Sequence, residues 1–115
     1  MEEIKKFNDQ GLVIYYKDFE GYEYWIEYNT QGQIIYYKNT KGFEEWQDYN
    51  AQGQLIHCRD SNGYEYWSEY NDQGKEIHCK DSKGFEEWFE YNDQGLLIHY
   101  KDSEGIEETY SNKSS

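Results

Sequence analysis

Three histidines stand at a fixed interval, His57, His78 and His99, each 21 residues from the next. Two cysteines, Cys58 and Cys79, follow the first two at the same interval. Imidazole and thiolate are the usual ligands of zinc and the usual partners in nucleophilic catalysis. Around them stand carboxylates in equally regular places: Glu23, Glu44, Glu65 and Glu86, and Glu27, Asp48, Glu69 and Glu90. Carboxylates in pairs do acid–base chemistry and hold calcium. A third set, Trp25, Trp46, Trp67 and Trp88, keeps the same interval and is suited to stacking or to anchoring an interface.

The interval itself argues against catalysis. A catalytic site is concave and asymmetric, with each group in a distinct role. Here every candidate belongs to a series of like residues. If each 21-residue unit contributes two strands, neighbouring histidines lie about 10 Å apart. A metal ion holds its ligands near about 2 Å, so histidines of adjacent units cannot share one. Cys58 and Cys79 fall at the same separation, beyond the roughly 7 Å reach of a disulfide, and are expected to be free, small core residues. No Cys-x-x-Cys pair, phosphate-cradling glycine loop or Ser-His-Asp arrangement is present. Turns such as Asp60-Ser61-Asn62-Gly63 and Asp102-Ser103-Glu104-Gly105 are better explained by turn formation than by calcium. No catalytic residue, metal site or cofactor is expected.

What positions these series is a pair of glycine ladders. Glycine recurs at 11, 32, 53, 74 and 95, and again at 21, 42, 63, 84 and 105. Each ends an Asn/Asp-x-x-Gly tetrapeptide; Asp18-Phe19-Glu20-Gly21 departs from the rest only in its Phe-Glu centre. Asn and Asp bond their own backbone, and glycine supplies the positive φ that closes a hairpin. Between turns lie runs of five to seven residues rich in Tyr, Trp, Phe and Ile, too short for a helical stripe. The chain has no proline to interrupt a ladder. The expected fold is all-β: an antiparallel meander of about eleven short strands, 2–8, 12–17, 22–28, 33–38, 43–49, 54–59, 64–70, 75–80, 85–91, 96–101 and 106–110, in an open or coiled sheet. One domain spans 1–110, with full repeats 21–41, 42–62, 63–83 and 84–104, partial units at each end and a flexible tail 111–115.

A period of 21 is odd, whereas strand side chains alternate every two residues. The two turns must therefore differ in parity. The expectation is a four-residue loop at the Asn turns and a three-residue loop at the Asp turns. Glu65 then faces both Lys80 and Arg59. One face carries the tryptophans, Tyr15, Tyr36, the histidines and the acid columns. The other carries Tyr28, Tyr49, Tyr70 and Tyr91, with Tyr22, Phe43, Tyr64 and Phe85 and the column Ile14, Ile35, Ile56, Ile77 and Ile98, and is expected to be the better buried.

The stretches Tyr28-Asn29-Thr30-Gln31-Gly32, Tyr49-Asn50-Ala51-Gln52-Gly53, Tyr70-Asn71-Asp72-Gln73-Gly74 and Tyr91-Asn92-Asp93-Gln94-Gly95 resemble YD repeats of the RHS type, with Asn in place of that family's Asp. The resemblance implies a spiralling β-sheet; the short array does not carry over the role of enclosing a toxin. A weaker likeness to choline-binding and clostridial-toxin repeats implies aromatic hairpins.

Formal net charge is −13, from 24 acidic and 11 basic side chains. Such a surface repels nucleic acid and anionic membrane and attracts basic surfaces. Aromatic residues make up 20% of the chain, which argues against disorder despite the charge. The leading residues lack an apolar signal core and no run spans a membrane, so a cytoplasmic location in a bacterial host is expected. Asn112-Lys113-Ser114 matches a glycosylation sequon and is discounted on the same ground. The leading functional expectation is a non-enzymatic acidic protein-binding repeat, an inhibitor that mimics nucleic acid in the manner of anti-CRISPR proteins. Its contact residues are Glu23, Trp25, Glu27, Glu44, Trp46, Asp48, Glu65, Trp67, Glu69, Glu86, Trp88 and Glu90, and its partner a basic, nucleic-acid-binding protein. Alternatives are a carbohydrate- or choline-type ligand module, and an immunity or scaffold protein or fragment of a longer YD-type array. Edge strands are available for homodimer pairing, with Lys5, Lys6, Glu107 and Glu108 opposing it.

Overall fold

The computed structural model describes residues 2–111. Eleven strands follow one another: β1 (Ile4–Phe7), β2 (Val13–Lys17), β3 (Glu23–Tyr28), β4 (Ile34–Asn39), β5 (Glu44–Tyr49), β6 (Leu55–Asp60), β7 (Glu65–Tyr70), β8 (Glu76–Asp81), β9 (Glu86–Tyr91), β10 (Leu97–Asp102) and β11 (Glu107–Thr109). They form one antiparallel meander in chain order, and the sheet does not close. Residues 112–115 of the expected tail, with the sequon, lie outside the described residues.

Both turn types use the same chemistry. At Asn50 the backbone N–H donates to the Gln54 carbonyl at 2.9 Å, and the Gly53 N–H donates back to the Asn50 carbonyl at 3.0 Å. The Asn50 side-chain oxygen accepts from the Gln52 and Gln54 N–H groups, both at 3.0 Å. Asp60 does the same for Asn62 and Tyr64. Gly53 and Gly63 have φ of 85° and 89°, a region costly for any residue with a Cβ.

The loops at Asn and Asp turns are therefore equal in length, which corrects the four-residue loop expected at the Asn turns. Parity changes by a β-bulge instead. In the β7–β8 hairpin Glu69 faces His78 but Tyr70 faces Glu76, leaving Ile77 as the extra residue. Ile14, Ile35, Ile56 and Ile98 hold the same place in their hairpins. At a bulge two residues oppose one, so alternation is suspended for one step. The alternation that put the isoleucines on the tyrosine face is therefore broken at the bulge: Ile56 borders one depression with His57, Trp67 and Lys80, and Ile35 borders another with Tyr36 and Trp46. The bulge also moves the cations. Glu65 faces Arg59 as expected, but Lys80 faces Trp67 and not Glu65.

Successive hairpins pair over three residues at the Asp-turn margin and then part: β6 and β7 are in register only from Arg59–Glu65 to His57–Trp67. Long side chains span the gap. Tyr28, Tyr49, Tyr70 and Tyr91 each donate a hydroxyl to a backbone carbonyl of the preceding strand, at Val13, Ile34, Leu55 and Glu76, over 2.7, 2.7, 2.9 and 2.7 Å. Those carbonyls lie one residue before each bulge. Gln33 and Gln54 reach forward to the Gly53 and Gly74 carbonyls, each at 2.7 Å. At the opposite margin the Ser61, Ser82 and Ser103 hydroxyls donate to the carbonyls of Gly42, Gly63 and Gly84, each at 3.3 Å.

The sheet is a single layer measuring 64 × 31 × 18 Å. Its radius of gyration is 19.3 Å, against about 13 Å for a compact domain of this length. Its accessible surface is 8003 Å², against roughly 6,700 Å² for a compact protein of this mass. Among the described residues only Ser68, Cys79 and Asp102 are buried, and register places them on the tyrosine face. That face is the better covered, as expected, but neither face is dry.

Candidate functional site

The tryptophan face is built from oblique five-residue rows that cross five strands. One row runs Asp48, His57, Trp67, Lys80, Glu86; the next runs Glu69, His78, Trp88, Lys101, Glu107. A third, Glu27, Tyr36, Trp46, Arg59, Glu65, has tyrosine in the histidine place. Each tryptophan has another ring on one side and a cation on the other. Trp67 and Trp88 stack on His57 and His78 with ring centres 5.6 and 5.5 Å apart. Trp25 and Trp46 meet Tyr15 and Tyr36, both at 5.6 Å. On the other side Lys38, Arg59, Lys80 and Lys101 lie 5.1, 4.4, 5.3 and 5.5 Å from the ring centres of Trp25, Trp46, Trp67 and Trp88.

The two acid columns divide in character. Glu23, Glu44, Glu65 and Glu86 face Lys17, Lys38, Arg59 and Lys80 in register. They also accept hydrogen bonds from the middle of the rows. The Tyr15 and Tyr36 hydroxyls donate to Glu23 and Glu44, the latter at 2.5 Å. His57 and His78 meet Glu65 and Glu86 through Nε2 at 2.7 and 2.6 Å. The outer column reaches the same histidines from the other side, Asp48 to His57 Nδ1 at 3.1 Å and Glu69 to His78 Nδ1 at 2.6 Å. Both nitrogens of an imidazole donate only when the ring is protonated. The bond to Glu65 leads in raising the His57 pKa, and the bond to Glu69 leads for His78. The Glu44 carboxylate likewise holds the Tyr36 hydroxyl up at about 12. Asp48 and Glu69 keep 68% and 67% of their side chains exposed, against 34% and 32% for Glu65 and Glu86.

The structure thus sets all twelve expected contact residues on one face, with the four inner acids hydrogen-bonded to a tyrosine or histidine of the same face. The Ile56 depression, about 740 Å³, lies where β6 and β7 part. The tyrosine face offers no reactive thiol. Burial raises the Cys58 pKa, with help from Glu45 and Asp60; burial and a bond to Glu87 push Cys79 up to about 12. Both cysteines are free. Among the described residues no cluster of His, Cys, Asp and Glu has the geometry of a metal site.

Sequence reasoning missed the bulge isoleucines, the tyrosine hydroxyl bridges and the Gln and Ser/Thr bridges at the margins. The last left a trace: Thr40, Ser61, Ser82 and Ser103 share the second place of successive turns.

No protein-family model and no curated protein matches the chain. Solved structures do. The sheet superposes on a complex described as TcdB2-TccC3 without the hypervariable C-terminal region, with a TM-score of 0.68 at 19% identity. It also superposes on the Tc holotoxin pore of Photorhabdus luminescens, with a TM-score of 0.66 at 18% identity. In both the match covers 88% of this chain and 5% of the other. At this identity the likeness is one of fold, a repeating antiparallel sheet that matches a small part of these toxin chains.

Proposed function

We propose that the chain is a non-enzymatic structural module, a stretch of the kind of sheet from which longer YD-type arrays are built. The observation that carries this reading is the way each unit completes its neighbour. Tyr70 supplies a donor to β6, Gln54 to the turn after β7, and Ser82 to the turn before it. A unit alone leaves these groups without partners, and a stack satisfies them one after another. The superposition onto a small part of much longer chains agrees with it. An antibody raised against the chain, applied to a lysate of the source cells, is expected to detect a polypeptide far larger than 14.0 kDa. A single band at that mass would overturn the reading.

A second reading is favoured by the outer acids. Glu27, Asp48, Glu69 and Glu90 form an exposed column at two-strand spacing that suits docking to a basic protein, with an anti-CRISPR type of nucleic-acid mimicry as its narrowest form. The inner acids contribute less to it, being about two-thirds covered where the outer ones are about one-third, and hydrogen-bonded to tyrosine or histidine. A pull-down that retains basic proteins at low salt, and loses them in an Asp48→Lys/Glu69→Lys variant, is its test. Sugar or choline stacking has less support, since each tryptophan already has a ring on one side and a cation on the other.

A further inference from the structure

We propose that the outer acid column receives an arginine-rich segment of a partner protein, and that each guanidinium it takes up drives the proton off a clamped histidine, so that docking tightens as pH rises. This gating rests on the docking reading above, since it presupposes that a basic partner binds there. The two acid columns differ in what faces them. Glu23, Glu44, Glu65 and Glu86 face Lys17, Lys38, Arg59 and Lys80, whose charge is fixed near neutrality. Glu27, Asp48, Glu69 and Glu90 face Tyr36, His57, His78 and His99. Protonated, the histidines set a positive charge beside three of these four outer acids; neutral, they set none.

The column has room for a basic side chain. Asp48 and Glu69 each give one carboxylate oxygen to a histidine Nδ1. The other oxygen has no hydrogen-bond partner among the described residues. Beside each acid the parting strands leave a depression with an aliphatic and an indole wall. One, about 740 Å³, lies at Ile56 and Trp67 next to Glu69. The other, about 460 Å³, lies at Ile35 and Trp46 next to Glu27 and Asp48. An arginine stem lies along such walls while its guanidinium meets the carboxylate. Because the rows repeat, successive basic side chains of one segment meet successive depressions.

A guanidinium at Asp48 or Glu69 stands next to an imidazolium that shares the same carboxylate. The two like charges repel; arginine cannot lose its proton, and histidine can. His57 meets Asp48 of β5 and Glu65 of β7, with Arg59 two residues along β6 and Lys80 of β8 beyond Trp67. His78 meets Glu69 of β7 and Glu86 of β9, with Lys80 two residues along β8 and Lys101 of β10 beyond Trp88. In the free chain these carboxylates hold both rings protonated above the ordinary 6.5. Below the folded values a partner meets a charged imidazole and binds weakly; above them it meets a neutral one and binds fully. Glu27 has no such gate, because the Tyr36 hydroxyl beside it is neutral throughout this range.

The probe is an oligo-arginine peptide at low salt, whose own charge is constant over the pH range used. Isothermal titration calorimetry should show binding at least about tenfold tighter at about pH 8.5 than at about pH 5.5, with protons released to the buffer near neutrality. NMR of the ring C–H signals should show His57 and His78 losing their protons at lower pH with peptide bound than without. A His57→Tyr/His78→Tyr chain copies the rows that already carry Tyr15 and Tyr36, and should bind with little change over the same range. An Asp48→Asn/Glu69→Gln chain with an unchanged circular dichroism spectrum should bind more weakly at the higher pH and lose most of the rise. Equal affinity at both pH values, ring titrations unmoved by the peptide, or the full rise persisting in the tyrosine chain would each overturn the gating and leave the docking reading intact. No binding at either pH would overturn both.

Discussion

Removing the hydroxyl of Tyr70 alone tests how the units are joined. The ring stays, packed at the margin where β6 and β7 part, and only the 2.9 Å bond to the Leu55 carbonyl is lost. A neutral hydrogen bond contributes about 0.5–1.5 kcal/mol net, and a half-buried carbonyl left without a donor adds part of a roughly 1–3 kcal/mol penalty. Tyr70→Phe should therefore cost about 1–2 kcal/mol. For 115 residues the entropy of unfolding is about 240 cal/mol/K, so the Tm should fall by roughly 4–8 °C. The control is Tyr64→Phe, whose hydroxyl has no such carbonyl partner among the described residues; it should shift the Tm by less than about 2 °C. Urea and thermal melts followed by tryptophan fluorescence measure both. The four-fold variant at Tyr28, Tyr49, Tyr70 and Tyr91 should lose several times the single cost and melt less cooperatively, because each bond joins a different pair of units. If Tyr70→Phe and Tyr64→Phe behave alike, the hydroxyl bridges do not hold the units together and the reasoning fails.

The histidine clamps give stability that depends on pH. The folded pKa values of His57 and His78 lie above the ordinary 6.5, so the contribution is complete below 6.5 and is lost as pH rises through the folded values. Melts across that window should show the native chain losing Tm while a His57→Gln/His78→Gln chain changes less; equal slopes would refute the clamp. Gly63→Ala tests the turn: an added Cβ meets nothing within 4 Å, so the cost of about 1–2 kcal/mol comes from φ alone. A urea midpoint equal to that of the native chain would mean that the turn relaxes freely. Ser82→Ala should cost about 1 kcal/mol and speed amide exchange at Glu65, whose N–H it receives; unchanged exchange would show that the margin bond is idle.

Much of this architecture is written in the glycine timing. Turn places, strand number, chain-order pairing and the grouping of Trp, His and Glu into columns all follow from one Asx-x-x-Gly rule. What eluded that reading is the source of the parity change. Loop length and a bulge shift alternation equally, and nothing in a lone isoleucine column tells them apart. The error propagated to two details, the face of Ile56 and the partner of Lys80. It left the twelve contact residues on one face, because the parity was right for another reason. The internal use of the inner acids was also hidden. Composition gives a charge of −13 but not which carboxylates meet a histidine or tyrosine.

Every reading above requires a single open layer rather than a packed core, and small-angle X-ray scattering measures that directly. The account predicts a radius of gyration near 19.3 Å with a longest dimension near 64 Å. A value near 13 Å, as for a closed or two-layered domain, or near 35 Å, as for roughly this length of unfolded chain, would contradict it.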